Sequence, residues 1–511
     1  MIISLSVLVI TIIVSGTYAL YKAQLSKNIG VNTTTHGLAY YINYVKGTDI
    51  TAATLNPSTS YEGGASSDIE FWKKDDSYDI YGKIELTVNT IGTNLSNSPA
   101  LKYAVVNNGN VLKEGSLKGT TSGSKVTILK NLYLEQTKQI YTVYVWLDNS
   151  EELGNISNES LSISVDCTAS LQKEPTAADT IISLYTSAAK VTATNNSITY
   201  NTAPSVSLMN DRLGGTTTSL DGGNIRYYGA SPNNYIYFNC SDYSNQTSST
   251  CETWRIIGVF DGKLKLIKSE SIGAYSWDNK DTSTGAENDT GKNDWTTARL
   301  MKLLNPSNYY KVDSNDNNLG QSLYYNSASG KCYSGQNNAT VDCDFTSTGI
   351  KNAETRNMIA ETTYNLGGWN SNSVYSNQIY EYERGTTVYS GRPTTWKGKI
   401  ALAYPSDYGY AADLNQCKDK TLYDYDNRTC TSNNWMKAII TNNGSNTGWL
   451  LTPRSGSSSN AWYVNSGGFV SRDSIAYVAY GAVPVLYLSS ELGIESGVGD
   501  GSSSNPYKLS A

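Results

Sequence analysis

Residues 448–488 read GWLLTPRSGSSSNAWYVNSGGFVSRDSIAYVAYGAVPVLYL. Three apolar runs, Trp449-Leu450-Leu451, Ala461-Trp462-Tyr463-Val464 and Val483 to Leu488, predict buried strands, because each is too short for a helix and is bounded by turn-forming residues. The Ser, Asn and Gly runs between them cannot be core, so they predict loops or the solvent face of a sheet. Tyr463, Asn465, Phe469, Ser471, Arg472, Asp473, Tyr477 and Tyr480 stand there among small residues. Large aromatic groups with two side-chain torsions, set among adaptable hydrogen-bonders, are the composition of a binding loop. These eight are the candidate ligand-binding residues, although an ordinary polar hairpin would carry the same composition.

The 511 residues exceed what one core serves, and at about 150 residues per domain they predict roughly three units: two sizeable domains and an anchor. Charged residues make up 16% of the chain, the net charge is -6 and no basic run occurs, so a nucleic-acid partner is not expected. Solubility falls to Asn, Ser, Thr, Gly and 40 Tyr. The single histidine, His36, removes most catalytic triads and most zinc sites, and its Thr-rich surroundings predict an exposed side chain.

Six of the seven cysteines fall into local pairs, Cys240 with Cys251, Cys332 with Cys343 and Cys417 with Cys430, at separations of 11, 11 and 13 residues. The segments between them have loop composition, which predicts three stapled loops in an oxidising compartment. No CxxC spacing and no nearby His supports a metal site.

Residues 2–21 carry no charge, a length that spans a bilayer as a helix or forms the apolar core of a signal peptide ending near Ala19. Residues 1–22 are therefore a membrane anchor or signal segment, and the chain beyond residue 22 is expected to be exported. No basic residue precedes this segment, which predicts a natural start upstream of Met1.

From 23 to 170 the hydrophobic period is two. Ile84, Leu86 and Val88 alternate with Lys83, Glu85 and Thr87, as Tyr141, Val143, Val145 and Leu147 do with Thr142, Tyr144 and Trp146. Asn107-Asn108-Gly109 signals a hairpin turn. Cys167 shares a face with Leu161, Ile163 and Val165, so it reads as a buried free thiol. The whole is an all-β sandwich. Its SGTYA at Ser15, YTVYVWLD at Tyr141 and SISVDCTASLQ at Ser162 resemble camelysin-type surface and biofilm-fibre proteins of Gram-positive bacteria, which implies a jelly-roll-like fold and a structural, surface-displayed role.

Residues 174–194 change character: Ala178, Ile181, Ile182, Tyr185 and Ala188 recur at helical spacing, and 171–202 reads as a helical connector. Beyond it, 203–511 reads as an α+β domain rich in loops. Strands are expected at Tyr235 to Phe238, Trp254 to Phe260 and Lys263 to Ile267. Helices are expected at 295–304, capped by Asp294, at 353–366 and at 434–440.

The succession TWRIIGVFDGKLKLI, DWTTARLMKLLN, KIALAYPSDYGYA, GWLLTPRS, NAWYVNSGGFVS and VPVLYL resembles the C-type-lectin-like domain of bacterial surface proteins related to the formylglycine-generating enzyme fold. In members diversified by retroelements the C-terminal stretch carries scattered hypervariable residues, drawn largely from Asn codons. The resemblance implies such positions at Tyr463, Asn465, Ser471, Asp473, Ser474, Tyr477 and Tyr480.

The resemblance does not extend to the enzyme's chemistry. Its two late active-site cysteines have no counterpart, since the last cysteine here is Cys430. A glycosidase would need two converging acids; Glu361, Glu381, Glu383 and Asp407 are available without a reason in the sequence to pair. Calcium is possible in the acidic run 278–294, whereas 313–324 fails as an EF-hand, with Asn318 at the glycine position and Tyr324 at the glutamate position. The sequence therefore predicts a non-enzymatic cell-surface protein of a bacterium that binds a protein or glycan through 449–480. The alternative is a structural subunit of a surface fibre or envelope.

Overall fold

The computed structural model describes residues 23–24, 41–51, 55–151, 153–156, 158–212, 223–243, 245–279, 290–311, 319–442, 446–495 and 497–510. The 1–22 anchor or signal segment, His36 and the EF-hand-like run 313–318 lie outside them. Among the described residues no helix is long and apolar enough to cross a membrane. The chain divides into a β-rich unit ending at Glu174 and a second unit beginning at Pro175.

The first unit stacks two sheets. One orders Ala23–Gln24, Leu161–Ser170, Tyr81–Ile91 and Lys125–Tyr133, and the other Ile42–Val45, Ala65–Lys73, Ile140–Asp148, Leu101–Asn107 and Asn110–Ser116. The period-two pattern decides which face is inside. Register sets Ile163 opposite Val88, Val165 opposite Leu86 and Cys167 opposite Ile84. All six pack against Ile69, Phe71, Val143 and Val145 of the other sheet. Cys167 is a buried free thiol, as its strand position predicts. Asn108 and Gly109 take φ of 49° and 76° and turn the chain between paired Asn107 and Asn110, because a two-residue turn matching the strand twist needs positive φ at both positions. Asn131 closes the unit by donating to the Glu174 carbonyl at 2.9 Å.

The helix Ala177–Ser187 belongs to the second unit's core and is not a connector. Thr176 and Asp179 form a reciprocal capping box at its start. Ala177, Ala178, Ile181 and Tyr185 are buried in that core, and Ala177 N donates to the Leu492 carbonyl at 2.7 Å. Gly493–Ile494 next door pairs with Leu509–Ser510, so the beginning and end of the unit are clasped together. After the helix, Val191–Asn195 opens a nine-stranded sheet that continues through Ile198–Ala203, Leu208–Asn210, Ile225–Tyr227, Glu252–Phe260, Lys263–Lys268, Val485–Tyr487 and Ile400–Ala401, with Tyr235–Phe238 pairing with Glu252–Phe260 as the ninth strand.

The helices differ most from expectation. Asp294 Oδ1 accepts from Thr296 N at 3.0 Å, but this caps only a turn, and the helix proper is Arg299–Leu304. The helix expected over 353–366 stops at Met358, because Thr362–Asn365 pairs with Thr395–Gly398 as a two-stranded ribbon. The third is Met436–Thr441, and the helices Ser376–Glu383 and Pro405–Tyr410 were not expected.

Cys240–Cys251, Cys332–Cys343 and Cys417–Cys430 are bonded as the local spacing predicts. Three such bonds mark a protein matured in an oxidising, extracytoplasmic compartment.

Candidate functional site

The stretch 448–488 builds most of a separate five-stranded sheet, in the order Ala274–Ser276, Ala479–Gly481, Gly448–Pro453, Asn460–Val464 and Val470–Ile475. Alternation sends Trp462, Val464 and Val470 inward, all fully buried. Gly448 has to be glycine: a Cβ there would lie 2.4 Å from the Ile440 carbonyl oxygen. Register sets Trp449 opposite Tyr463, and Tyr275 opposite Tyr480. Cross-strand partners share a face, so the rings meet: Tyr463 and Tyr480 centroids are 5.3 Å apart, and Trp449 lies 4.7 Å from Tyr480 and 6.4 Å from Tyr463. Trp449 is the buried floor, fixed by its indole N–H on the Tyr275 carbonyl at 3.0 Å. Tyr463 and Tyr480 above it are half-buried. Burial raises the Tyr463 hydroxyl's pKa and a hydrogen bond with Ser471 opposes the rise, so the phenol stays protonated.

Next to the rings lies a charged group. The Asp473 carboxylate, 48% exposed, takes Arg454 Nη1 at 2.5 Å on one oxygen and Arg472 Nη1 on the other. Both arginines are also pinned by Asn370, whose side-chain oxygen accepts from Arg454 Nε at 2.7 Å and whose carbonyl accepts from Arg472 Nε at 3.0 Å. The structure thus gathers Tyr463, Ser471, Arg472, Asp473 and Tyr480 on one sheet.

The other candidates go elsewhere. Phe469 pairs with Tyr423 at 5.7 Å, and Tyr423 is 55% exposed. The Tyr477 hydroxyl accepts from Gln336 Nε2 at 2.9 Å. Asn465 shapes a turn by accepting from Gly468 N at 3.0 Å. Ser471 and Ser474 are buried, so neither offers a free hydroxyl surface. Tyr423, Arg454 and Asn370 were not among the sequence candidates. Asn370 and Tyr423 carry no local signal of a role, since their partners stand far along the chain.

Of the four carboxylates weighed for catalysis, Glu361 is exposed and paired with Lys397, and Glu381 is exposed. Glu383 and Asp407 are buried side by side, and protein groups occupy them. Asp407 takes Lys265 Nζ at 2.5 Å, Arg226 Nη1 at 3.1 Å and Tyr404 N at 3.0 Å. Glu383 takes Ser406 N at 2.9 Å, Ser406 Oγ at 2.5 Å and Arg384 Nη1 at 3.3 Å. In the possible calcium run, Asp278 accepts from Lys292 N at 2.8 Å, and burial pushes its pKa up to about 7. Among the described residues no group of three or more His, Cys, Asp or Glu side chains could hold a metal ion.

No family model matches the sequence, and no curated protein matches it. Among solved structures it is similar to two point mutants of HCR/D, at 13% and 12% identity, over 51% and 50% of this chain and 76% of each of those chains, with TM-scores of 0.14 and 0.15. It is also similar to the receptor-binding domain of botulinum neurotoxin mosaic serotype C/D, at 11% identity over 50% of this chain and 74% of that chain, with a TM-score of 0.15. TM-scores of this size do not define a shared fold.

Proposed function

We propose that this is an exported surface protein whose second unit is a C-type-lectin-like binding head, receiving a glycan or protein ligand on the Tyr463–Tyr480 face. The observation that carries this reading is the pair of half-buried Tyr rings, 5.3 Å apart on a buried Trp449, beside an Asp473 carboxylate held by two arginines. A ring stacks on the apolar face of a sugar or on an apolar side chain, while Asp473 and Arg472 fix orientation by charge-assisted hydrogen bonds. The rings are preorganised by the floor beneath them, so little ordering entropy is lost on binding.

One observation favours the structural-subunit alternative. Asn110–Ser116 is a sheet edge in the first unit and leaves Val111 and Leu112 each 42% exposed, a surface suited to a neighbouring copy.

The test is a glycan array and a surface-protein panel probed with the full chain and with Tyr463→Ala/Tyr480→Ala. Binding lost in a folded double variant supports the face. Binding retained by it moves the site elsewhere, and concentration-dependent assembly without any ligand favours the subunit reading.

A further inference from the structure

In the second unit, away from the Tyr463–Tyr480 sheet, a cavity of about 80 Å³ is lined by Lys263, Thr362, Asn365, Arg384, Tyr404 and Tyr487 among others. Its most constrained member is Arg384. The guanidinium lies 3.3 Å above the centre of the Tyr380 ring, and Nη1 donates to the Tyr380 carbonyl and to Glu383 Oε2, each at 3.3 Å. Glu383 is itself locked by two bonds from Ser406. Stack and ion pair together fix the plane of the group and use one of its three nitrogens. The Nε–Nη2 edge has no protein partner among the described residues, and the side chain is 26% exposed beside the cavity.

That edge presents two parallel N–H groups, the fork that matches a carboxylate. Other donors at the cavity are equally unspent. Thr362 Oγ1 is buried without any hydrogen-bond partner, although its strand is held by pairing with Thr395–Gly398. Lys263 lines the same space and makes no ion pair among the described residues. The deeper cations do not compete for an anion, because Arg226 and Lys265 are neutralised by Asp211 and Asp407. Asp261 also lines the cavity and is exposed, so it can accept from a ligand hydroxyl. Tyr404, Tyr487 and Phe260 supply the apolar wall.

We propose that this cavity is a second, separate binding site that takes the carboxylate of a small hydroxylated acid, such as a sugar acid, on the free edge of Arg384 with Thr362 and Lys263. Its volume holds two or three waters at about 30 Å³ each, which fits a carboxylate and its neighbouring carbon and leaves the rest of the ligand at the mouth. Glu383 and Tyr380 are positioning residues. The proposal is independent of the Tyr463–Tyr480 face.

The test is calorimetric titration of the full chain with sodium glucuronate, and separately with glucose, acetate and sulfate, at fixed ionic strength. Saturable binding of glucuronate without binding of glucose or sulfate is expected. Acetate binding as tightly as glucuronate would mean that the site reads the carboxylate alone and would overturn the hydroxylated-acid assignment. Arg384→Lys keeps the charge and loses the fork, and should weaken binding at least tenfold. Thr362→Val keeps the shape and covers the case in which the Arg384 variant fails to fold; it should weaken binding several-fold with the circular dichroism spectrum unchanged. No saturable glucuronate binding by the unaltered chain, an equal response to sulfate or glucose, or affinity unchanged in folded variants would overturn the proposal. Tyr463→Ala should leave glucuronate binding intact.

Discussion

Lys265 Nζ lies 2.5 Å from Asp407 Oδ2, and neither side chain is more than 1% exposed. The same carboxylate takes Arg226, which in turn holds Asp211 at 2.5 Å, so the strands Ile225–Tyr227 and Lys263–Lys268 are tied to the helix Pro405–Tyr410. Burial works against the Asp407 carboxylate, but Lys265 and Arg226 outweigh it and hold its pKa below the usual range.

Removing that charge leaves two buried cations short of a partner. Asp407→Asn should cost about 3 to 5 kcal/mol in urea unfolding of the second unit. Lys265→Met should cost less, because Asp407 keeps Arg226. A depressed carboxyl pKa contributes stability that is present above the unfolded value, near 4, and lost as pH falls below it. This acid-side loss should be absent from Asp407→Asn. An Asp407→Asn variant as stable as the parent would refute the assignment.

Glu383 acts with the opposite sign. Burial pushes its pKa up to about 7, against the pull of Arg384 and Ser406. Between about 4.3, the unfolded value, and about 7 the folded chain holds a proton that the unfolded chain releases, so stability falls as pH rises through that window and is flat above it. Glu383→Gln should flatten this slope. Urea midpoints measured from pH 4.5 to pH 8 decide it.

Thr176 caps the helix Ala177–Ser187 by accepting from Asp179 N at 3.1 Å. Thr176→Ala should lower the stability of the second unit by about 1 kcal/mol and leave the first unit's transition in place. An unmoved second transition would mean that the helix end is not coupled to that core.

Cys167 is fully buried and its pKa stands well above the usual thiol range because of that burial. A thiol reagent at pH 8 should find no reactive group in the folded, unreduced chain and one equivalent in denaturant. More than one equivalent after unfolding would mean that a disulfide is missing.

Much of the first unit was legible because its signals are local: strict alternation, one Asn108–Gly109 turn, and Cys167 in phase with Ile163 and Val165. The disulfides were legible for the same reason, each closing a short loop. The expected helix over 353–366 misread a chain whose second half becomes a strand only because Thr395–Gly398 pairs with it. The helix Ser376–Glu383 gave no clear apolar face, since the polar residues Asn377 and Glu383 are buried along with Ile379. Within the candidate site, Tyr463 and Tyr480 stood out as large rings among small residues. Asn370 did not, because what singles it out is contact with Arg454 and Arg472 across the fold. Ser474 and Asn465 looked available and are consumed by packing and by a turn.

The clasp between Gly493–Ile494 and Leu509–Ser510, with Ala177 bonded to Leu492 beside it, brings the second unit's chain in and out at one point. Leu509 is held a second time by the Gln246 side chain, which donates to its carbonyl at 2.7 Å and accepts from its N–H at 2.9 Å, so tension applied across residues 177 and 510 falls on this local set of bonds. The Tyr463–Tyr480 rings sit on a different sheet, outside that line of force. A bond broken in the clasp is therefore not one of those that hold the rings together.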